Sequence, residues 1–494
     1  MALPRRRPGR PLVRAPDGAS AQEPVRAQPA SRVGVGGAGL GPGTGRRAGP
    51  GRPAALSSAL GRGRGARPGA AGGRDVEPRP RAEEEGVVRP AAPPPISGHQ
   101  NTVDGLRAVA ALAVLVFHVA SSAGSITNPD GPRWLFNGGQ IGVPIFFALS
   151  GLLLYRPWAA AALDGRSAPR TVTYLRRRVF RIMPAYWAVV VVYMVTAGRD
   201  HIGDPVTWAS LMTLTQTYLP NAWWPTDLGP SHLGQCWSLV VEVAWYVTLP
   251  VTAAVLAWYA RRTRTHDVGV RAKRLLIGIG VYAALSLPWS AAMFVPERHT
   301  QMGLFLPRYF AWFAIGMALA VVTVWARLDE RRPVAALCRA VSDSWAACWT
   351  AAAMLYVVAA TPAAGPLSLQ EADAFWTSVL HLVVFGLCAA AFVAPVVLAP
   401  PGQPVLDAVL GNPVMRFLGR ISYGLFLWQL LIIVSWYDAA DRTFRGDVAT
   451  DLPLMAAATI AAGTLSYYLV EWPVQRLVRR RDRARPAPAP VPSS

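Results

Sequence analysis

Two residues in the first apolar segment of this chain are suited to acid–base chemistry. Arg107 and His118 are eleven residues apart, so on a helix they lie about 20° apart in azimuth and about 16 Å apart along the axis. Asp104, three residues before Arg107, is close enough to orient its guanidinium. Because histidine exchanges protons near neutral pH, His118 is a candidate general base. The alternative is a structural histidine bonded to a neighbouring helix.

Glu242 is the second candidate, in a later apolar segment that includes Trp237 and Ser238. If that segment runs from outside to inside, the carboxylate lies about 10 Å below the outer surface, a depth similar to that of His118. A buried carboxylate needs a partner. We expect His118 to be that partner, since a carboxylate can hold an imidazole in one tautomer. The alternative role for Glu242 is to join two helices.

An arginine cluster precedes another apolar segment, at residues 176–178 and at Arg181. Guanidinium groups match the geometry of phosphate, and Arg107 opens on the same side of the membrane. The cluster is therefore a candidate site for a phosphorylated donor, and the alternative is flanking charge without a ligand. Ser150 has no base near it in sequence, so the run 146–151 is predicted to serve helix packing through its small residues.

Membrane-spanning helices must position these side chains. The 494 residues are 52% hydrophobic and 16% charged, whereas soluble domains carry about 25% charged residues. Ten apolar segments approach the roughly 20 residues that cross a bilayer. They run approximately over residues 103–121, 138–155, 182–198, 235–259, 275–295, 305–326, 344–360, 377–399, 417–437 and 452–470.

The basic residues follow the alternation of these segments. If the amino terminus is cytoplasmic, the inside connections hold 24 Lys and Arg and the outside connections hold 5. This asymmetry is typical of membrane proteins. It predicts an all-α integral membrane protein, a bundle of about ten transmembrane helices with both termini cytoplasmic, in the cell membrane.

The net charge of +21 is also explained by this organisation. Residues 1–97, rich in Arg, Pro, Gly and Ala, hold 17 Arg and 7 acidic residues without Trp, Phe or Tyr, so they are predicted to form a disordered tail. Residues 98–475 form the membrane domain, and residues 476–494 form a basic, Pro-rich cytoplasmic tail. The 18 Trp favour a lipid bilayer over nucleic acid as partner. The spacing of the four cysteines predicts no metal site.

Together these motifs resemble the acyltransferase 3 family of polytopic membrane enzymes, which O-acylate glycans and other extracytoplasmic acceptors. The resemblance covers about residues 99–480. It departs at Gln429, where the family often has histidine, and at Val243 and Ala244, where the family often has polar residues. The matching residues are Asp104 to Arg107 with His118, Phe146 to Gly151, Arg178 and Arg181 with Pro184 and Tyr186, Trp237 to Leu239 with Glu242, Ile421 to Tyr423, and Glu471 with Pro473.

The resemblance implies an acyltransferase that uses cytoplasmic acyl-CoA as co-substrate, without a bound cofactor, and acylates a hydroxyl of a glycan, glycolipid or metabolite outside. Arg178 and Arg181, helped by Arg107, are expected to bind the donor. His118 would be the base or a transient acyl carrier, assisted by the catalytic carboxylates of Glu242 and Asp104. Acceptor or structural roles are expected for Trp237, Ser238, Tyr423, Gln429 and Glu471.

Two other functions are compatible with the sequence. One is a transporter or flippase of a lipid-linked or acylated molecule, with His118 and Glu242 as a proton relay. The other is a catalytically inactive membrane scaffold, which the glutamine at position 429 favours.

Overall fold

A computed structural model of the chain describes residues 93–95, 98, 100–126, 132–219, 221, 223–263, 266–329, 333–364 and 374–483. Apart from residues 93–95, the tail predicted over 1–97 lies outside these residues. Of the predicted carboxy-terminal tail, residues 476–483 are helical, and the remainder lies outside the described part of the chain.

The described residues form helices and no strand, which confirms the all-α prediction. Short 3₁₀ turns precede several of the helices. The α-helices are α1 (Asn101–Ser122), α2 (Gly142–Asp164), α3 (Thr171–Val195), α4 (Pro205–Met212), α5 (Trp237–Arg261), α6 (Val268–Ala284), α7 (Ser286–Ala292), α8 (Phe310–Leu328), α9 (Pro333–Asp343), α10 (Trp345–Ala360), α11 (Phe375–Val397), α12 (Pro404–Val409), α13 (Pro413–Ala439), α14 (Val448–Ser466) and α15 (Trp472–Arg483).

Many of these helices are long and apolar enough to cross a bilayer, so the chain is a multi-pass membrane protein. Within the described ranges, nine helical stretches meet both requirements. The stretch that was predicted as the seventh span is α10, which is apolar but only 16 residues long. By length and composition alone, α10 is therefore the one predicted span among the described residues that does not qualify.

Helix α10 lies between α8 and α11 in the sequence and runs in the opposite direction to both. The Arg308 guanidinium, just before α8, donates to Oγ of Ser378 at 2.6 Å. One turn later Trp312 Nε1 donates to the carbonyl of Leu382 at 2.8 Å, so α8 and α11 run in the same direction. Helix α10 is antiparallel to α11, because its start meets the end of α11 where Trp349 Nε1 donates to the carbonyl of Phe392 at 3.2 Å.

Close packing joins α2 to α8 and ties both to α5. A Cβ atom at Gly316 would collide with the backbone of Ala148, and one at Gly151 would collide with that of Phe313. This confirms the packing role predicted for residues 146–151. The Phe313 ring stacks on Phe147 of α2 at 4.5 Å and on Trp245 of α5 at 4.6 Å between centroids. The three rings hold α2 and α5 at a defined separation.

Helices α1 and α13 pack with similar closeness. Gly419 near the start of α13 lies against the carbonyl of Asp104 in α1, where no Cβ would fit. At the other end of α1 the Ser122 carbonyl accepts a hydrogen bond from the amide of Phe444, which follows α13, at 2.9 Å. The two helices therefore run parallel.

Two helix boundaries differ from the sequence prediction. Helix α3 begins at Thr171, whereas the apolar segment begins at residue 182. Arginine is a good helix former, so the helix extends through the arginine cluster before the apolar run. At the other end of the chain, α14 continues through a π-helical turn at Tyr467–Glu471 into α15. Pro473 cannot donate to the carbonyl of Leu469, which interrupts the regular pattern of the helix.

Candidate active site

A cavity of about 240 Å³ lies inside the bundle between α1, α2, α3, α5 and α13. Its wall is largely apolar, with charged and hydroxyl groups at a few points. Such a mixture is typical of small-molecule sites. The lining residues are Arg107, Val114, Val143, Phe146, Phe147, Leu149, Ser150, Leu153, Leu154, Arg178, Arg181, Ile182, Ser238, Leu239, Glu242, Tyr246, Ser422, Tyr423 and Phe426.

The carboxylate in this cavity is Glu242, and its hydrogen-bond donor is Ser150. The hydroxyl of Ser150 on α2 donates to Oε1 of Glu242 on α5. Ser150 lies three residues after Phe147, and Glu242 lies three residues before Trp245. Phe147 and Trp245 stack on opposite sides of Phe313, and the three rings form a column. That column fixes the distance between α2 and α5 one turn away and so holds the pair together.

Three arginines line the same cavity as this carboxylate. Arg107, Arg178 and Arg181 all line the cavity, and the charges of all three interact with Glu242 or with one another. Because Arg178 and Arg181 are three residues apart inside α3, they share one helix face. The structure therefore brings together the three residues that were predicted to bind the donor.

Two tyrosines complete the polar part of the wall. Tyr246, one turn after Glu242, forms a side-chain contact with that carboxylate. The hydroxyl of Tyr423 on α13 donates to the Ile182 carbonyl of α3 at 2.9 Å. Glu471 is buried behind this wall and its charge interacts with Arg181. The Tyr423 hydrogen bond thus joins α13 to α3 next to the arginines.

His118 lies just beyond the cavity rather than in its wall. It is one turn after Val114 on α1, and Val114 lines the cavity. Its neighbour is Gln429 of α13, which is buried and donates to the Phe426 carbonyl at 3.2 Å. Nδ1 of His118 and Oε1 of Gln429 are both buried without a hydrogen-bond partner. His118 and Gln429 form a second polar group at the end of the cavity away from the arginines.

The predicted pairing of His118 with Glu242 is wrong. Among the described residues, Glu242 accepts its hydrogen bond from Ser150, whereas His118 adjoins Gln429. The similar depth of the two residues suggested the pairing. The ring column turns the face of α5 that carries Glu242 toward α2, so the carboxylate does not face the outer part of α1.

The remaining predicted residues support the cavity from its edges. Asp104 is buried and lies 3.6 Å from Arg107, between the closest atoms of the two side chains. Ser238 lines the wall and donates to the Gln235 carbonyl of its own chain segment at 3.1 Å. The Trp237 ring packs against Tyr309, with centroids 5.3 Å apart, outside the lining.

Ser150 and Tyr246 are residues that the sequence analysis missed as site residues. Ser238, Glu242 and Tyr246 are spaced by four, so they share one face of a helix; this pattern was available in the sequence. The approach of Ser150 to Glu242 depends on the packing of α2, α8 and α5 and has no local signal. Among the described residues, no group of three or more His, Cys, Asp or Glu side chains could hold a metal ion.

The described residues thus form a multi-pass helical bundle in which three arginines and a carboxylate line one internal cavity and a histidine lies just beyond it. The sequence profile of the acyltransferase 3 family, described as an acyltransferase domain, matches residues 100–471. The chain therefore belongs to this family.

Several curated relatives are named for acyl transfer. The chain is 24% identical to the peptidoglycan O-acetyltransferase OatA of Listeria monocytogenes over 390 residues, which are 76% of this chain and 56% of OatA. It is 25% identical to the putative peptidoglycan O-acetyltransferase YrhL of Bacillus subtilis, over 76% of this chain and 54% of YrhL. It is 26% identical to the acyltransferase MdmB of Streptomyces mycarofaciens, over 79% of this chain and 95% of MdmB.

The chain thus spans about half the length of the first two of these relatives. No solved structure gives a significant match.

Proposed function

We propose that this protein transfers an acyl group from a cytoplasmic acyl-CoA to a hydroxyl of an extracytoplasmic glycan, glycolipid or metabolite. The observation that carries the proposal is the distribution of charge along one cavity. Three arginines and Glu242 lie toward one end, and the half-buried His118, whose Nδ1 is buried and unpaired, lies beyond the other. This order suits a donor held at one membrane face and an acceptor activated toward the other.

The donor would enter between the arginines. Arg178 and Arg181 would hold its phosphates, since arginine forks bind phosphate oxygens in pairs, and Arg107 would assist them. The apolar wall formed by Phe146, Leu149 and other side chains suits the thioester arm. Glu242, oriented by Ser150, would keep the arginines in position while the donor is bound and through the transition state.

His118 would act as the general base. Its free Nδ1 would take the proton of the acceptor hydroxyl as the hydroxyl oxygen attacks the thioester carbonyl. The carbon–sulfur bond then breaks, and CoA leaves as the thiolate or, after protonation, the thiol. Gln429 would orient the imidazole by hydrogen bonding. A positioned base of this kind contributes about 10²- to 10⁴-fold to a rate.

The relatives support a short acyl group and a glycan acceptor. OatA is named a peptidoglycan O-acetyltransferase, and MdmB is named an acyltransferase without a stated acceptor. Acetyl-CoA is therefore the first donor to test, and cell-envelope glycan is the first acceptor.

We also propose ten membrane crossings with both termini in the cytoplasm. The parallel packing of α8 with α11 supports a crossing between them, because α10 runs antiparallel to α11. Helices α1 and α13 are parallel as well, which fits an even number of crossings from the start of α1 to the start of α13. The bias of 24 to 5 basic residues supports the cytoplasmic assignment of both termini.

The experiment that tests this function uses purified protein in liposomes, with radiolabelled acetyl-CoA on one side and a cell-envelope glycan fraction on the other. The proposal predicts label bound covalently to glycan. Label that only redistributes across the membrane would indicate a transporter instead, and label that stays on CoA in protein-containing and empty liposomes alike would contradict the proposal.

A further inference from the structure

Two further cavities continue from the arginine end of the active-site cavity. The first, about 370 Å³, is a cleft between α3 and α15 and shares Arg178 and Arg181 with the active-site cavity. The second, about 500 Å³, shares Gln475 and Arg479 with the cleft. The three cavities therefore form one series, joined first by a pair of residues on α3 and then by a pair on α15.

Both cavities beyond the active site are basic. The α3–α15 cleft is lined by four arginines and one acidic residue, Asp482. Asp482 holds the neighbouring Arg176 through a direct ion pair, and Arg177 Nε lies 2.8 Å from Oδ2 of Asp482. The Asp482 carboxylate is thus paired with two arginines of α3, and these ion pairs hold α15 against α3.

The outer cavity combines positive charge with aromatic surface. Arg476, Arg479 and Arg480 line it together with Trp472 and Tyr467. The Arg476 guanidinium lies over the Trp472 ring, 5.2 Å from its centroid. A charged groove lined by arginine and aromatic rings suits a phosphorylated nucleotide, because phosphate binds the guanidinium groups and a base stacks on a ring.

We propose that Arg479 of α15 binds a phosphate monoester at the nucleotide end of the donor. This inference rests on the proposed function. An acyl-CoA carries its thioester at one end and its nucleotide, with a pyrophosphate and a 3′-phosphate, at the other. With the pyrophosphate between Arg178 and Arg181 and the thioester arm extending along the cavity toward His118, the nucleotide lies in the α3–α15 cleft, and Arg479 is the arginine that borders both outer cavities.

The test compares two ligands that differ only in this phosphate. Coenzyme A and 3′-dephospho-coenzyme A are titrated into the purified full-length protein in detergent by isothermal calorimetry. We expect the wild type to bind coenzyme A at least about tenfold more tightly, since one charge-assisted contact contributes about that much. Arg479→Ala removes most of this difference by weakening coenzyme A binding alone, whereas Arg479→Lys, which keeps the charge, retains part of it.

The matched control is Arg481→Ala. Arg481 is an exposed arginine of the same helix that lines neither outer cavity, so this variant keeps the full preference for coenzyme A. An Arg479→Ala variant with the wild-type preference would overturn the inference. A loss of co-purified anionic phospholipid in Arg479→Ala, with the ligand preference unchanged, would assign this arginine to a lipid headgroup and overturn it equally.

Failure of the inference can be distinguished from failure of the proposed function. If Arg178→Ala loses both ligands while Arg479→Ala behaves as the wild type, the α3 donor site stands and the α15 site is excluded. If the wild type binds neither ligand, the proposed donor itself is wrong.

Discussion

The hydrogen bond from Ser150 to Glu242 leads to a quantitative prediction for Ser150→Ala. A hydrogen bond to a charged group stabilises by about 1.5–3 kcal/mol. If this energy orients the Glu242 carboxylate in the transition state, its loss lowers the rate of acyl transfer about 10- to 150-fold. Because only one oxygen atom is removed beside the packed α2–α8 contact, the protein should still fold.

The assay is single-turnover acyl transfer at saturating donor, with Ser150→Ala, Glu242→Gln and the double variant compared. If the hydroxyl acts through the carboxylate, the double variant loses much less activity than the product of the single losses. Thr323→Ala is the control, because it removes a buried hydroxyl on α8 that bonds only within its own helix, to the Ala320 carbonyl at 3.0 Å. A wild-type rate in Ser150→Ala, or losses that multiply, would refute the proposed orientation.

Three further predictions concern topology, packing and the acceptor side. Lys273, the one lysine of the chain and an exposed one, should react with a membrane-impermeant lysine reagent only after cells are permeabilised, and labelling of intact cells would exclude a cytoplasmic α5–α6 connection. Gly316→Leu should lower the melting temperature in detergent by several degrees through overpacking against α2, whereas Gly280→Leu, which faces open space, should not; equal melting temperatures would contradict the α2–α8 contact. Gln429→Leu should slow acyl transfer at least tenfold with donor affinity unchanged, and an unaltered rate would separate Gln429 from the chemistry.

The fold class and the donor arginines were predictable from the sequence for physical reasons. Apolar runs long enough to cross a bilayer predict most of the helices. Arg178 and Arg181 are close in sequence, so their common face follows once the segment is helical. Arg107 joins them because it lies near the corresponding end of its own helix.

The contacts between distant helices were not predictable in the same way. Ser150 and Glu242 are 92 residues apart, and their contact depends on how Gly316 and the Phe313 ring fit between α2 and α5. The depth of a residue along its helix limits its possible partners but does not select one, because rotation of the helix decides which neighbour it faces. The pairing of His118 with Glu242 was wrong for this reason. The sequence analysis did not predict that α3 extends through the arginine cluster. An apolar run marks only the part of a helix that lies within the lipid.

The central claim is that His118 activates the acceptor while the arginines hold the donor. The direct measurement is transfer of radiolabel from acetyl-CoA to glycan by His118→Ala, together with its affinity for coenzyme A. His266→Ala, an exposed histidine outside the cavity, is the control. The account predicts that His118→Ala binds coenzyme A as the wild type does and fails to label glycan. Undiminished labelling by His118→Ala would contradict it.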